Sequence, residues 1–497
     1  MCLSLGHVRR NAKRGDAVRT TLVVLIAIGL VLFVGCKKPN RAPDTPSVPS
    51  GPTSCAVGLK YWFHSALSDP DGDDVSVRFD WGDGDTSPWS EYSDTGDLVH
   101  MCHAWSSTGS YTVRAQAREQ DSIVTAWSDG LGLSVYYEWA KAIGGEDANN
   151  WGELVQQTHD GGYVVTGATA RGPYDAWLLR VDAHGDTVWS ATPSGAAGHR
   201  GCSVQQTRDS GFVVAGVAWV DIWRSDALLV KADANGREVW RRFMGGTDEE
   251  EFHSAIQTRD GGYAVTGYTV SYGAGASDVW LVKTDANGDT VWTRTFGGTG
   301  FDAGNSVQET QDGGYVITGL SGSCIWLFKT DGTGNTVWDR KFDGATWGGG
   351  NSVVQTQDGG YAIAGGTKSH PDGRADVFLA KTNRDGDTAW TRTFGGAGDD
   401  WGNQLCQTRD GGFIVVAYTK SFGAGKGDMW LLKTDANGDT VWTRTFGGPE
   451  DDCGRSVQTA QDGGYIVAGT TSSSGQWTKL WLVKTGANGE VDSVGGK

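Results

Sequence analysis

The sequence predicts an all-β chain: a small β domain followed by a seven-bladed β-propeller of four-stranded blades. Three observations predict it. The stretch Gln157-Thr158-His159-Asp160-Gly161-Gly162-Tyr163 returns six more times with local changes, its Asp falling at Asp160, Asp209, Asp260, Asp312, Asp358, Asp410 and Asp462, 46 to 52 residues apart. A period near 50 is the mark of a repeat architecture. Each unit reads as four short apolar runs separated by turn residues, the pattern of hairpins rather than helices. Glycine reaches 76 of 497 residues, about twice the usual ~7%, as many tight turns demand.

In chain order, residues 1–35 read as a targeting segment. Arg9, Arg10, Lys13, Arg14 and Arg19 precede the apolar run Thr21 to Val34. That is a basic n-region and an h-region too short for an ordinary membrane span. The run ends Phe33-Val34-Gly35-Cys36, which resembles a bacterial lipobox. The resemblance implies cleavage before Cys36, lipidation of its thiol and attachment to a membrane. An uncleaved anchor and plain secretion are the alternatives. All three put the rest of the chain outside the cytoplasm, and the lipid-anchored reading puts it in the bacterial cell envelope facing periplasm or exterior. The formal net charge is −17, and about −21 once residues 1–35 are removed. Such a charge argues against nucleic acid and anionic membrane surfaces as partners.

Residues 36–54 carry five prolines with Ser, Thr and Gly and are expected to form an extended, unpacked linker. Residues 55–135 show period-two alternation at Val75, Val77, Phe79 and Trp81 and again at Tyr111, Val113, Ala115 and Ala117, the pattern of half-buried strands. The run Asp69-Pro70-Asp71-Gly72-Asp73, the stretch Phe79-Asp80-Trp81-Gly82-Asp83-Gly84, His103-Ala104-Trp105 and Gly109-Ser110-Tyr111-Thr112-Val113 resemble the PKD-type immunoglobulin-like family. The resemblance implies a β-sandwich used as a spacer or adhesion module. Cys55 and Cys102 both fall in this domain, and an oxidising compartment permits a disulfide between them. Cys202, Cys324, Cys406 and Cys453 are scattered over the repeats without metal or redox spacing and read as small buried residues. Asp69, Asp71 and Asp73 are weak candidates for Ca²⁺, which takes several oxygen ligands. An Asp/Gly turn with Asx hydrogen bonds is the preferred reading. No other cofactor is expected.

From residue 136 the repeats begin. In the third copy, strand A is Ser254 to Thr258, B is Tyr263 to Tyr268, C is Asp278 to Thr284 and D is Asp289 to Phe296. The A–B turn Asp260-Gly261-Gly262 and the C–D turn Asp285-Ala286-Asn287-Gly288 have hairpin chemistry. Blades stacked face to face bury both sides of a middle strand, which explains apolar runs such as Val279 to Val282. Strand D carries Trp189, Trp240, Trp292, Trp338, Trp390 and Trp442, read as packing between blades. A basic residue near the end of strand C recurs at Arg180, Lys231, Lys283, Lys329, Lys381, Lys433 and Lys484 and reads as a solvated or salt-bridged structural position. The chain enters at Glu138 to Gly145 in the phase of strand D, while the last unit lacks a Trp-bearing D strand. The 138–143 strand is therefore expected to complete the last blade and remove the free edges. The repeat resembles secreted bacterial propellers with DGGY/WLVKTDANGD units, a group to which no activity attaches.

The D–A and B–C connections share one face and vary; function sits on such loops. The D–A loops supply a candidate binding rim: Glu146, Asp147 and Trp151; Asp248, Glu249 and Glu250; Asp302; Asp399, Asp400 and Trp401; and Glu450, Asp451 and Asp452. Strand A is expected to line a hydrated channel with residues such as Asn305, Gln308 and Thr310. No nucleophile elbow, HExxH or phosphate loop is present, and the nine His do not recur at one repeat position. The sequence thus points to a monomeric, non-catalytic binding or scaffold module for a protein or glycan of the cell envelope. A glycan-directed hydrolase or lyase on the same face and a Ca²⁺-dependent adhesion protein are the alternatives.

Overall fold

The computed structural model describes residues 40–491 apart from 121–122, 137, 145–148, 170–174, 193–197, 222–223, 343–347 and 369–372. The targeting segment 1–35, Cys36 and the rim residues Glu146 and Asp147 lie outside the described residues. The described residues form strands and no helix, as the turn-rich, period-two sequence requires.

The N-terminal region is an immunoglobulin-like sandwich. Strands β1 (Ser54–Ala56), β3 (Ser76–Asp80), β5 (Gly109–Arg118) and β6 (Leu131–Tyr136) make one sheet in the order β1-β6-β5-β3, and β2 (Tyr61–Ala66) pairs with β4 (Leu98–His103) in the other. Phe63, Phe79, Trp81, Trp105 and Val135 fill the space between them. The two motifs that carry the family resemblance meet in this core: the Trp105 indole donates to the Trp81 carbonyl at 3.2 Å, and His103 stacks on Trp81 with centroids 4.9 Å apart. Gly82 holds φ +80° with the Thr112 backbone 2.8 Å from where a Cβ would sit, so this turn needs glycine.

Two expectations for this region fail. Cys55 and Cys102 do not form the expected disulfide. Cys55 is buried in the core, whereas Cys102 pairs across from the exposed Trp62. Residues directly opposite in a ladder share a face, so Cys102 points outward, away from Cys55. The proline-rich segment is not an unpacked linker either. Pro43, Pro46 and Pro49 are buried, and a three-residue spacing is the turn of a polyproline II helix. The Asp44 amide donates to the Ser68 carbonyl at 3.0 Å and Ser50 bridges His64, which straps the segment along the sandwich.

The rest of the chain builds repeated four-stranded antiparallel sheets, A to D in order, here numbered 1 to 7. Their A strands are Asn150–Gln157, His199–Gln206, Glu250–Gln257, Asp302–Glu309, Gly348–Gln355, Asp400–Gln407 and Asp452–Thr459. In sheet 7 the fourth position is taken by β7 (Trp139–Ile143), which pairs with Lys479–Thr485 and sets Trp139 opposite Lys484. Lys283 faces Trp292 in the same way in sheet 3.

Three devices recur from sheet to sheet. The first is an ion pair between the basic residue of strand C and the Asp of the A–B turn, present in all seven sheets. The six lysines lie 2.8–3.1 Å from their carboxylates with side chains at most 10% exposed. Each ammonium also donates to the carbonyl of the next residue, as Lys283 does to Thr284 at 2.8 Å. The second is the strand D tryptophan, which packs on the glycine of the next sheet's C–D turn. Trp240 lies 2.6 Å from where a Cβ on Gly288 (φ +79°) would sit, and Trp139 of sheet 7 meets Gly185 of sheet 1 likewise. The same tryptophans make aromatic contacts with the Tyr or Phe that opens strand B of the next sheet, as Trp292 does with Tyr315 at 5.9 Å. The third joins A strands. Ser and Gln side chains of one A strand accept from main-chain amides of the next: Gln205 from Gln257, Ser254 from Val307, Ser352 from Leu405, and Ser456 from Val155.

Burial works against the charged form of Asp260, yet the Thr258 hydroxyl, the Lys283 ammonium and the Gly262 amide outweigh it and hold the carboxyl at about 2. Asp312 and Asp358 are held at about 2 by the same kind of partners. An unfolded Asp titrates near 3.9, so these groups stabilise the fold fully above about pH 4, and the contribution is lost as pH falls towards 2. Melting temperature should therefore drop steeply between about pH 4 and 2. Asp312→Ala should lower stability at pH 7 by about 1–3 kcal/mol, the usual cost of leaving a buried polar group unpaired, and flatten part of that acid slope. Urea titrations across pH would measure both.

Candidate functional site

Every A strand carries a β-bulge at the same register: the pairing with strand B slips between Gly152 and Leu154, Gly201 and Ser203, Phe252 and Ser254, Gly304 and Ser306, Gly350 and Ser352, Gly402 and Gln404, and Gly454 and Ser456. A bulge leaves one residue out of the ladder and re-aims its side chain. The seven residues so freed are Glu153, Cys202, His253, Asn305, Asn351, Asn403 and Arg455, and all seven line one cavity of about 380 Å³. Close approach of the two strands makes the bulge possible: a Cβ on Gly267, in strand B, would sit 1.8 Å from the Glu251 carbonyl oxygen.

One arc of this cavity is uncharged and self-satisfied. The Asn305, Asn351 and Asn403 amides donate to the carbonyls of Gly350, Gly402 and Gly454 at 3.0, 2.8 and 2.6 Å. His253 Nδ1 lies 3.1 Å from the Gly304 carbonyl, which fixes its proton on Nδ1. Each side chain thus serves the next sheet's bulge, where a carbonyl has lost its ladder partner.

The other arc is charged. The Arg200 guanidinium pairs with Glu251. The Cys202 thiol lies 3.3 Å from the same carboxylate oxygen, and His253 Nε2 lies 3.8 Å from it. Burial pushes the Glu251 carboxyl up, but His253 and Arg200 outweigh it and leave it below its ordinary value. Burial and the Glu251 charge both push the Cys202 thiol well up, and the thiol donates to the Glu251 carboxylate. Across the arc, Arg455 Nε stands 4.0 Å from Glu153 Oε2, beyond hydrogen-bond reach. Glu153, Arg200 and Arg455 also line a second cleft of about 320 Å³ with Trp151, Ala168 and Trp219. Trp151 lies near the start of the sheet 1 A strand and Trp219 ends strand B of sheet 2, so this cleft opens towards the D–A and B–C connections.

The expected acidic rim divides. Glu250, Asp302, Asp400 and Asp452 are buried, at most 2% exposed. Their carboxylates cap backbone amides of their own loops: Glu250 accepts from Gly246, Asp302 from Gly298, Asp400 from Gly396 and Asp452 from Gly448 at 2.7–3.0 Å. A turn that needs a fixed acceptor uses the acid internally, and none of the four is a rim residue. Asp248, Glu249, Glu450 and Asp451 are exposed and Asp399 is half-buried. Glu450 pairs with Lys426 at 2.5 Å, and Asp451 accepts from the Tyr418 hydroxyl at 2.8 Å. Trp401 lies against strand B of sheet 5 at Gly366; of the described rim residues, Trp151 alone enters the cleft. Of the channel residues, Asn305 lines the cavity, Gln308 accepts from the Gln355 amide, and Thr310 donates to Asp312. In the sandwich, Asp69 Oδ1 accepts from the amides of Asp71 and Asp73 at 2.8 and 3.0 Å, an Asx arrangement. Among the described residues no group of three or more His, Cys, Asp or Glu is placed to hold a metal ion. Glu153, Arg200, His253 and Arg455 were not expected. For Glu153, His253 and Arg455 the signal was present: in Gly-x-Ser-Val-Gln of strand A, x is Asn in three copies and varies in the others.

The fold and site define an all-β chain in which an immunoglobulin-like region precedes repeated four-stranded sheets around a mixed-charge cavity. Residues 46–129 match the PKD domain family model. No curated protein matches the chain. Among solved structures, the PKD domain of an M14-like peptidase from Thermoplasmatales archaeon SCGC AB-540-F20 is 31% identical, with 20% of this chain and 98% of that one covered and a TM-score of 0.19. The extracellular domain of the hybrid two component system BT3049 from B. thetaiotaomicron is 9% identical over 87% of this chain and 50% of its own, with a TM-score of 0.42. A Synechocystis apocarotenoid oxygenase is 11% identical over 82% and 96%, with a TM-score of 0.39. At these scores none carries an activity over to this chain.

The Cys202 thiol should resist iodoacetamide at pH 8 in the native protein and react once urea unfolds it. Mass spectrometry of the labelled peptide would read this; rapid native labelling would place a thiolate at this position.

Proposed function

We propose that this chain is a lipid-anchored protein of the bacterial cell envelope, exposed to periplasm or exterior, that binds a protein or glycan partner without transforming it. The repeated sheets make a closed seven-bladed β-propeller, and the cleft beside Trp151 and Trp219 is the mouth of its binding site. The observation that carries the binding reading is the convergence of the non-repeating strand A residues on one cavity, while the positions around them recur for structural reasons. Asn305, Asn351, Asn403 and His253 serve the next sheet's carbonyls, whereas Glu153 and Arg455 serve none, and a scaffold with no ligand has no use for that departure. Closure is supported by β7 in sheet 7, by Ser456 accepting from the sheet 1 amide of Val155 at 3.0 Å, and by Trp139 packed on Gly185. The PKD match supports an extracytoplasmic setting, and the Phe33-Val34-Gly35-Cys36 sequence supports lipidation. Against catalysis stand the protonated Cys202 and the Glu251 carboxylate tied to Arg200.

Deleting residues 138–143 should leave sheet 7 without its fourth strand and open the ring. The melting temperature should fall by more than 10 °C, or the protein should not fold. An unchanged melt would rule out closure by this strand. Cys36→Ser should abolish labelling by a palmitate analogue and release the protein from membranes. Capture of envelope components by the wild-type chain, lost on Trp151→Ala with the melt unchanged, would test the mouth as the binding face.

A further inference from the structure

The cleft holds an ion pair that the protein leaves loose. Glu153 is 21% exposed at its side chain and makes no hydrogen bond to the described residues; Arg455, its partner at 4.0 Å and 47% exposed, makes none either. Arg200 spends one guanidinium nitrogen on Glu251, and its Nε is buried without a partner. Glu153 and Arg455 attract each other without the hydrogen bonds each could make, and the Arg200 Nε beside them goes against the rule that buried polar groups find partners. Both have spare capacity, acceptor on one side and donor on the other, directed at the space between them.

Charge narrows what can fill that space. Arg200 with Glu251 and Arg455 with Glu153 sum to zero, so a charged ligand group would sit uncompensated in a recess partly shielded from water. The ligand needs groups that donate to a carboxylate and accept from a guanidinium at once, with no charge of their own. Neighbouring hydroxyls on a ring do this. Trp151 and Trp219 border the same cleft, with Trp219 40% exposed. Indole faces take the apolar C–H surface of a sugar ring while hydroxyls point to polar groups.

We propose that this cleft binds an uncharged hexose unit of a glycan, its vicinal hydroxyls bridging Glu153 and Arg455 and one ring face set against the tryptophans. The assignment rests on the reading of the chain as a binding module and names its ligand class. The strongly negative whole-chain charge acts in the same direction, disfavouring acidic glycans at longer range.

Titration calorimetry of the full-length chain in detergent would compare cellohexaose, laminarihexaose, maltohexaose and mannohexaose with hexagalacturonate. At least one neutral oligosaccharide should bind ten times or more tighter than hexagalacturonate. Glu153→Gln and Arg455→Met should each weaken that binding tenfold or more, with melting temperature unchanged. Equal or tighter binding of hexagalacturonate, binding indifferent to both substitutions, or no binding of any of the five would overturn the assignment. In any of those cases, an envelope component captured by wild type and lost on Trp151→Ala would leave the binding-module reading standing.

Discussion

Seven A strands stand with one edge towards each other, and each carries a row of amides with no ladder partner. A buried or half-buried N–H must be satisfied, and among the described residues no further strand pairs with these edges. The protein meets this with side chains: Ser and Gln of one strand accept from the backbone of the next, as Ser203 does from Ala255 and Gln205 from Gln257. This constraint explains why Ser, Val, Gln and Thr recur along strand A. Val faces the packed interior, Thr serves the turn, and Ser and Gln serve the neighbour. The bulge residue has no duty to those amides: as Asn or His it donates to the next sheet's bulge carbonyl, and in other sheets it is Glu, Cys or Arg.

Further out, two other devices hold neighbouring strands and sheets. The strand C lysine reaches the A–B turn carboxylate within its own sheet, and the strand D tryptophan reaches the next sheet's glycine turn. Both are local, so each sheet carries its own supports. Long-range order comes from repetition rather than from one large core, as the separate clusters shared between neighbouring sheets indicate. In repeat proteins, stability is approximately a sum of nearest-neighbour terms. Loops on one face can then diverge at small cost to the rest, which frees them to acquire recognition.

Much of this was legible in the sequence because hairpins have explicit chemistry. Asp-Gly-Gly and Asp-Ala-Asn-Gly mark turns, and the phase of Trp139 and Lys141 placed β7 beside the last unit's strand C. What misled was composition read without geometry. Glu250, Asp302, Asp400 and Asp452 look like surface acids, yet a loop amide four residues away claims each carboxylate. Cys55 and Cys102 share a domain, but strand parity sends them to opposite faces. The bulge was hidden because it breaks the period-two rule used to read strands, and its residues look like noise in a repeat whose regularity draws attention elsewhere.

The strapped proline segment has a mechanical consequence. Its residues are fastened to the sandwich from Asn40 onwards, where the Asn40 amide donates to Glu119 at 2.5 Å and the Arg41 amide to Asp71 at 2.8 Å. With Cys36 lipidated as proposed, the chain left to reach the bilayer is four residues, at most about 14 Å when fully extended. The sandwich would then act as a foot planted at the lipid headgroups, not as a float on a long tether. A molecule held so short has its range of tilt set by the foot, and whatever it recognises must come down to within one protein's height of the membrane.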